Sequence, residues 1–285
     1  MPRFGKRVTD ALKSMLRPAL VADHSFVVAD WSAIEGRVNP WLCGAEAKLD
    51  IFRQRLDPYK VNAAATYGVR YEDVTDEQRQ VGKVQELALG FGGSTGAFAA
   101  MGRGYGVRFE EAQARRIVDA WRRANPWAVM FWQDLERAYM SAMRHPGHEF
   151  NAGRVTYFYD KQNLWYMLPS GRVLCYPFAK FEGEHLTYAK ASWKPAADAT
   201  EWPRARLWGG LACENVTQAS AHDILRAALR QCDGVVAHVH DEIVIETAEP
   251  ERVRAELERI MVTPPAWAVG LPLAVEAKIM AVYGK

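Results

Sequence analysis

The clearest feature of the hydrophobic pattern is a short run of β-forming residues that ends in an acid. Phe26 to Ala29 are apolar, and Asp30 follows them directly. A short apolar run that stops at a polar residue is typical of a buried strand. The pattern therefore predicts a strand that presents the Asp30 carboxylate at its end. An Asp in this place could also cap the helix predicted to follow it, as Ser32 could.

A second acid lies far along the chain, between two further apolar runs. Val235 to Val239 and Ile243 to Ile245 are separated only by His240-Asp241-Glu242. Two short strands that meet at a tight turn form a hairpin, and adjacent negative charges at its tip are unfavourable unless something compensates them. Magnesium would do so, because it takes oxygen ligands and is usually held by one or two protein carboxylates plus substrate phosphates. The pattern predicts that Asp30 and Asp241 come together as such a pair.

Helical periodicity between residues 75 and 91 places two cations on one face. Thr75 opens a capping box, which predicts a helix start. Arg79 and Lys83 are four residues apart, and Leu87 and Phe91 continue the same row. Paired cations on a helix most often form a solvated face. Here the row passes from cations to an apolar and then an aromatic residue, as in a helix that holds a triphosphate at one end and a base at the other.

The rest of the pattern mixes helices with antiparallel strands. Apolar periodicity predicts helices near residues 33–42, 48–55, 109–123, 126–143, 214–232 and 249–261, a β-meander within 149–193 and a last strand near 273–281. This order predicts an α+β fold rather than a doubly wound sheet.

Composition narrows the classes of function only a little. A net charge of +2 over 285 residues does not by itself indicate a polyanionic partner, so any nucleic-acid-binding surface must come from local clusters of Arg and Lys. The four cysteines form no CxxC pair, which argues against a structural zinc and a disulfide framework. Because no signal peptide or membrane-spanning run is recognisable, the chain is predicted to be cytoplasmic and to have no membrane partner.

Three motifs in order resemble those of one enzyme family. Asp30-Trp31-Ser32-Ala33-Ile34-Glu35-Gly36-Arg37 is similar to motif A of the DNA polymerase I-like, family A polymerases, with Trp31 where Tyr is usual. Arg79-x3-Lys83-x7-Phe91-Gly92 resembles motif B, and Val239-His240-Asp241-Glu242 resembles motif C. Three motifs at plausible separations are far more specific than one. The chain resembles the polymerase domain of this family, particularly its bacteriophage branch.

The resemblance implies a DNA-binding nucleotidyltransferase of DNA replication, a DNA-directed DNA polymerase. Asp30 and Asp241 would hold two Mg²⁺ ions, with the Trp31 carbonyl as a further ligand. One ion would activate the primer 3′-hydroxyl and the other would stabilise the leaving pyrophosphate. Lys83 completes the implied catalytic set.

The resemblance also implies binding roles for residues around these motifs. Arg79 and Lys83 would grip the triphosphate of the incoming dNTP, and Glu35 would lie against its sugar and exclude a 2′-hydroxyl. The other implied substrate-binding residues are Leu87, Phe91 and Tyr59. The implied contacts to primer–template DNA are Gln218, His240, Arg37 and Gly92.

In domain terms, the resemblance implies the start of a palm in residues 1–45, largely helical fingers in 46–148 and the rest of the palm in 149–285. Only 29 residues precede Asp30, so we expect thumb and exonuclease domains to be absent from this chain. A split or truncated polymerase would then need a second polypeptide that supplies the thumb, the 3′–5′ exonuclease or both. If the chain is phage-encoded, it would work in the cytoplasm of the infected bacterial host.

Three alternatives remain open at this point. The chain could be a non-catalytic nucleic-acid-binding remnant of a polymerase. The motifs of a remnant would be expected to have decayed, yet the motif residues are all present: Asp30, Arg79, Lys83 and Asp241. It could be a single-subunit RNA polymerase, but Glu35 and the acid after Asp241 resemble the DNA enzymes. A metal hydrolase built on the same carboxylates would leave the cationic helix unexplained.

Overall fold

The computed structural model describes residues 15–190 and 202–284. In chain order the elements are β1 (Val21–Trp31), α1 (Ile34–Cys43), α2 (Glu46–Arg53), α3 (Pro58–Tyr67), α4 (Asp76–Leu89), α5 (Thr95–Gly104), α6 (Glu111–Ala124), α7 (Pro126–Arg144), β2 (Phe150–Ala152), β3 (Val155–Tyr159), β4 (Leu164–Met167), β5 (Val173–Tyr176), β6 (Lys180–Glu182), β7 (His185–Ala189), β8 (Arg204–Leu207), α8 (Gly209–Leu229), β9 (Val235–Val239), β10 (Glu242–Thr247), α9 (Pro250–Val262) and β11 (Val275–Val282). Two short 3₁₀ turns cover Tyr71–Asp73 and Ala266–Ala268. The predicted α+β class is confirmed.

The chain divides into two compact units. Unit 1 combines Met1–Ile34 with Ala221–Lys285, and unit 2 is Glu35–Ser220. The predicted assignment of 1–45, 46–148 and 149–285 to palm and fingers stays a prediction, and its first fourteen residues lie outside the described ones.

Unit 1 is built on a four-stranded antiparallel sheet in the order β11-β1-β10-β9. The central strand β1 is apolar on both faces, with Val27 and Ala29 fully buried. On one face Phe26, Val28 and Val244 pack with Tyr283. The predicted strand that ends near Asp30 and the predicted hairpin are both confirmed, because β1 pairs with β10 and β10 pairs with β9.

Unit 2 consists of helices and two antiparallel sheets, one in the order β2-β3-β4-β5 and one in the order β6-β7-β8. Buried apolar residues of α4, α5, α6 and α7 form one core: Val81, Val84, Leu89, Phe98, Ala114, Ile117, Val118, Trp121 and Ala128. The predicted capping box is confirmed, since the Thr75 hydroxyl accepts from Gln78 N and the Gln78 side chain accepts from Thr75 N. This cap fixes the start of the helix that carries Arg79 and Lys83.

Some elements differ from the sequence prediction. Helix α1 ends at Cys43, one residue beyond the predicted end, with Pro40 inside it. Helix α8 begins at Gly209, five residues before the predicted start at residue 214. The short strand β8 and helix α5 were not predicted, because short or glycine-rich segments carry little periodicity.

None of the helices in the described part of the chain has the length and apolar character needed to cross a membrane.

Candidate active site

The end of β1 and the β9–β10 turn bring two aspartates next to each other in unit 1. Asp30 is the Cα partner of Glu242 in the β1–β10 pairing. One residue further, the backbone N–H of Trp31 donates to the carbonyl oxygen of Asp241 at 3.3 Å. Both aspartates are half-buried. The end of β1 and the β9–β10 turn therefore bring the backbones of the two motif acids side by side at one end of the sheet.

The residues on either side of Asp241 differ in exposure to solvent: His240 is exposed and Glu242 is buried. His240 is exposed and has a positive φ of 55°, which makes it the strained residue of the hairpin turn. Glu242 is only 3% exposed, and its carboxylate accepts a hydrogen bond from the Tyr283 hydroxyl. Burial raises the pKa of Tyr283 to about 12, with the neighbouring Glu242 carboxylate as a further cause.

Trp31 fixes the end of β1. Its side chain is buried, and its indole nitrogen donates to the carbonyl oxygen of Met261, at the end of α9, at 2.7 Å. A tryptophan at this position therefore has a structural partner of its own. The anchored ring holds the backbone that carries the Asp30 carboxylate and the Trp31 carbonyl.

The donor set fits magnesium. It consists of oxygens, two carboxylates and one backbone carbonyl, and hard divalent cations prefer oxygen ligands. Within residues 15–190 and 202–284, no group of three or more His, Cys, Asp and Glu side chains could hold a metal ion. Two carboxylates are enough for magnesium when substrate phosphates and water complete its shell.

In unit 2, helix α4 presents the two predicted triphosphate-binding cations beside tyrosine rings. The Arg79 guanidinium lies 5.2 Å from the centroid of Tyr59, and the Lys83 ammonium lies 4.8 Å from that of Tyr105. Arg79 Nε also donates to Asp57 Oδ2 at 2.5 Å. Burial raises the pKa of Tyr59. Both cations are thus held over aromatic faces on the same side of α4.

The row on α4 continues into a close backbone turn. Leu87 and Phe91 are half-buried. Gly92 has a φ of 76°, and a Cβ built on it would lie 2.7 Å from the Trp208 ring. Only glycine fits there, because both the backbone conformation and the space exclude a side chain. Gly92 and Trp208 line a cavity of about 250 Å³.

Two further predicted residues contact each other across a long sequence separation. The Gln218 amide of α8 donates to the Glu35 carboxylate of α1. Arg37, in the same helix as Glu35, is only 8% exposed and lies with its guanidinium 4.4 Å from the Phe52 centroid. Burial lowers the pKa of Arg37 to about 10.

The structure thus places the predicted residues in two groups. Unit 1 holds Asp30, Trp31, His240 and Asp241, and unit 2 holds Glu35, Arg37, Tyr59, Arg79, Lys83, Leu87, Phe91, Gly92 and Gln218. The roles assigned to all of them stay predictions.

Sequence reasoning missed Asp57, Tyr105 and Tyr283, which contact Arg79, Lys83 and Glu242. Asp57 stands before Pro58 at a helix start, where an aspartate reads simply as a cap. No local pattern connects it to a residue on the next helix, so its sequence position carried no signal of the contact.

No family model matches the chain. A curated protein from Bacillus phage SP02, named DNA polymerase, is 34% identical over 288 residues, covering 98% of this chain and 44% of its own length.

The chain is related to the polymerase I-like, family A DNA polymerases. A second polymerase of this kind, DNA polymerase I of Pseudomonas aeruginosa, is 28% identical over 278 residues, which is 93% of this chain and 25% of that enzyme. Among solved structures, the polymerase domain of Pol1 from M. smegmatis, in complex with DNA primer-template and dNTP, matches with a TM-score of 0.63 at 17% identity. That match covers 94% of this chain and 42% of the other, and it supports the polymerase-domain fold. The chain spans less than half the length of these curated polymerases.

Proposed function

We propose that this chain catalyses template-directed DNA synthesis, transferring a nucleotidyl group from a dNTP to a primer 3′-hydroxyl. The observation that carries the proposal is that Asp30, near the end of β1, lies beside Asp241 of the β9–β10 turn, with Trp31 N bonded to Asp241 O. Two carboxylates are the minimal protein contribution to a magnesium site that acts on phosphates. The relationship to the phage DNA polymerase supports the same reaction.

Asp30 and Asp241, with the Trp31 carbonyl, would hold the divalent metal. Two bound Mg²⁺ ions supply activation of the primer hydroxyl and stabilisation of the leaving pyrophosphate. The protein's own contribution is orientation. Trp31 is anchored to Met261, and the paired backbones of β1 and the hairpin keep the two carboxylates at fixed positions.

The residues of unit 2 would bind the incoming nucleotide. Arg79 would contact phosphate as a fork and Lys83 as a point charge, since guanidinium and ammonium groups differ in that way. Glu35, held by Gln218, would lie against the sugar and disfavour a 2′-hydroxyl. Phe91 would pack against the base, and Leu87 would contact the sugar. The Tyr59 ring lies against the Arg79 guanidinium.

Template direction is the property that separates this function from the alternatives. The purified chain is incubated with a labelled primer–template, Mg²⁺ and one dNTP at a time, for each of the four template bases. Addition of only the complementary dNTP is expected. Addition that ignores the template base would contradict the proposal. DNA binding without any addition, both by the chain alone and together with a thumb-bearing second polypeptide, would identify a non-catalytic remnant.

We further propose that a second polypeptide supplies the thumb, the 3′–5′ exonuclease or both. A thumb normally holds duplex DNA through phosphate contacts, so its supply by a second chain would lengthen the products of one binding event. Extension in the presence of excess unlabelled trap DNA measures the nucleotides added in one binding event. Short products that lengthen when the second polypeptide is added are expected, and long products from this chain alone would argue against a split enzyme.

A further inference from the structure

Arg79 does not stand alone on α4, because an acid from another helix holds it. Its Nε donates to Oδ2 of Asp57 at 2.5 Å, and the side chains are 38% and 24% exposed, respectively. The two residues are 22 positions apart. The contact therefore depends on the packing of α3 against α4 and not on local sequence.

The two oxygens of Asp57 perform separate tasks. Oδ1 accepts from the backbone N–H groups of Tyr59 at 2.8 Å and Lys60 at 3.4 Å, which caps the start of α3. Oδ2 accepts from Arg79. The backbone N–H of Asp57 in turn donates to the Tyr71 hydroxyl at 3.0 Å. The start of α3 therefore fixes the position of this carboxylate independently of Arg79.

The contact leaves one edge of the guanidinium for a ligand. Nε is used by Asp57 and one face lies against the Tyr59 ring. Among the described residues, no hydrogen-bond acceptor contacts the two terminal nitrogens of Arg79. These nitrogens form the fork that binds two oxygens of a phosphate.

We propose that Asp57 is a positioning residue, which orients Arg79 so that its terminal nitrogens face the phosphates of a nucleoside triphosphate. This inference rests on the proposed function and names how the phosphate site is preorganised. An arginine that is already fixed loses less rotamer freedom when the ligand binds. Among the described residues no acid contacts Lys83, which would then contribute positive charge to phosphate binding without being oriented in this way.

The test measures binding of dATP and of inorganic tripolyphosphate to the full chain by calorimetry, without DNA and at about 0.15 M salt, where exposed charges are largely screened. Asp57→Asn retains an oxygen for the helix cap, since Asn caps as well as Asp, but removes the acceptor of Arg79. The expected Kd for both ligands rises about tenfold. Thermal unfolding of the variant is expected to stay close to that of the wild type.

A double-mutant cycle with Arg79→Gln excludes a merely structural effect. If Asp57 acts through Arg79, the double variant binds no more weakly than Arg79→Gln alone, because the two changes remove the same interaction. Additive losses would overturn the inference. Asp73→Asn is the matched control: it removes the acid of the Arg70–Asp73 surface pair, whose Nε–Oδ2 distance is 2.7 Å, and it is expected to leave both Kd values unchanged.

Other results would decide against the positioning role. Tighter binding by Asp57→Asn would show that the acid competes with phosphate for Arg79, and an equal loss in Asp73→Asn would show a general disturbance. Single-nucleotide addition by the wild-type chain is measured separately. An Asp57 effect on binding without nucleotide addition would count against DNA synthesis and not against the phosphate site, whereas addition with no Asp57 effect would overturn only the inference.

Discussion

Adjacent acids at the β9–β10 turn have different partners. Asp241 is half-buried beside the end of β1, whereas Glu242 starts β10, is nearly inaccessible and accepts from the Tyr283 hydroxyl. Of the two, Asp241 is the more accessible, and Glu242 is held by Tyr283, which directly follows β11.

The bond to Glu242 gives a prediction at the residue scale. Tyr283→Phe should lower the free energy of unfolding by about 1–3 kcal/mol, because it removes a buried hydrogen bond to a carboxyl group without opening a cavity. Urea unfolding followed by far-UV circular dichroism measures this.

Tyr67→Phe is the control for that change. Tyr67 is exposed and its hydroxyl makes no described hydrogen bond, so the variant should differ from wild type by less than about 0.5 kcal/mol. Equal effects of the two substitutions would mean that the Tyr283–Glu242 bond contributes nothing.

At the scale of elements, the close approach of α3 and α4 positions the cationic row. A Cβ added at Gly82 of α4 would lie 2.0 Å from the carbonyl oxygen of Tyr59 in α3. The two helix backbones touch at this point, one residue before Lys83. The same approach brings Asp57 and Tyr59 to Arg79.

Gly82→Ala tests this approach. The added methyl group must push the two backbones apart, and overpacking of this kind costs about 1–3 kcal/mol or more. We expect that loss of stability in urea unfolding together with weaker tripolyphosphate binding, because Asp57 would move away from Arg79.

Gly90→Ala is the matched glycine on the same segment. Its backbone is helical, and an added Cβ would meet its nearest neighbour at 3.4 Å, an ordinary contact. That variant should be neutral or more stable by about 0.4–1 kcal/mol. A Gly82→Ala protein as stable as Gly90→Ala would contradict the described packing.

Elements with strong local signals could be predicted from the sequence. β1, the β9–β10 hairpin and the Thr75 cap each follow from apolar alternation or from cap chemistry within a few residues. The contacts that position the site could not be predicted. Asp57 with Arg79, Gln218 with Glu35 and Tyr283 with Glu242 are set by tertiary packing, which no window of sequence contains.

At the scale of the whole molecule, buried tyrosines link stability to alkaline pH. The rings of Tyr139, Tyr157, Tyr166, Tyr176 and Tyr188 form a chain of neighbours in unit 2. Burial raises the pKa of each one, that of Tyr166 to about 12. The unfolded chain would ionise them near pH 10, while the folded protein keeps them protonated.

The sign of the pH dependence follows. Above about pH 10 the unfolded state holds fewer protons than the native state, so stability falls as pH rises. Below about pH 10 the contribution of these protonated tyrosines to stability is fully present. Urea midpoints at pH 8 and pH 11 should show this loss, and no loss would contradict the burial of these hydroxyls.

Tyr157→Phe isolates one member of the group. Among the described residues its hydroxyl has no hydrogen-bond partner, so the variant should not be less stable at pH 8. At pH 11 it should lose less stability than the wild type. Tyr105→Phe, which changes an exposed ring, should leave the difference between the two pH values as it is.

The central claim is that Asp30 and Asp241 form a working catalytic pair. The measurement that tests it most directly is the rate of primer extension with Mg²⁺ and four dNTPs by the wild type, Asp241→Asn and Asp233→Asn. Asp233 is an exposed acid of the same unit, just before β9. Loss of a metal ligand should slow Asp241→Asn by about 10³-fold or more, and Asp233→Asn should extend at the wild-type rate. Extension by Asp241→Asn at the wild-type rate would contradict the account.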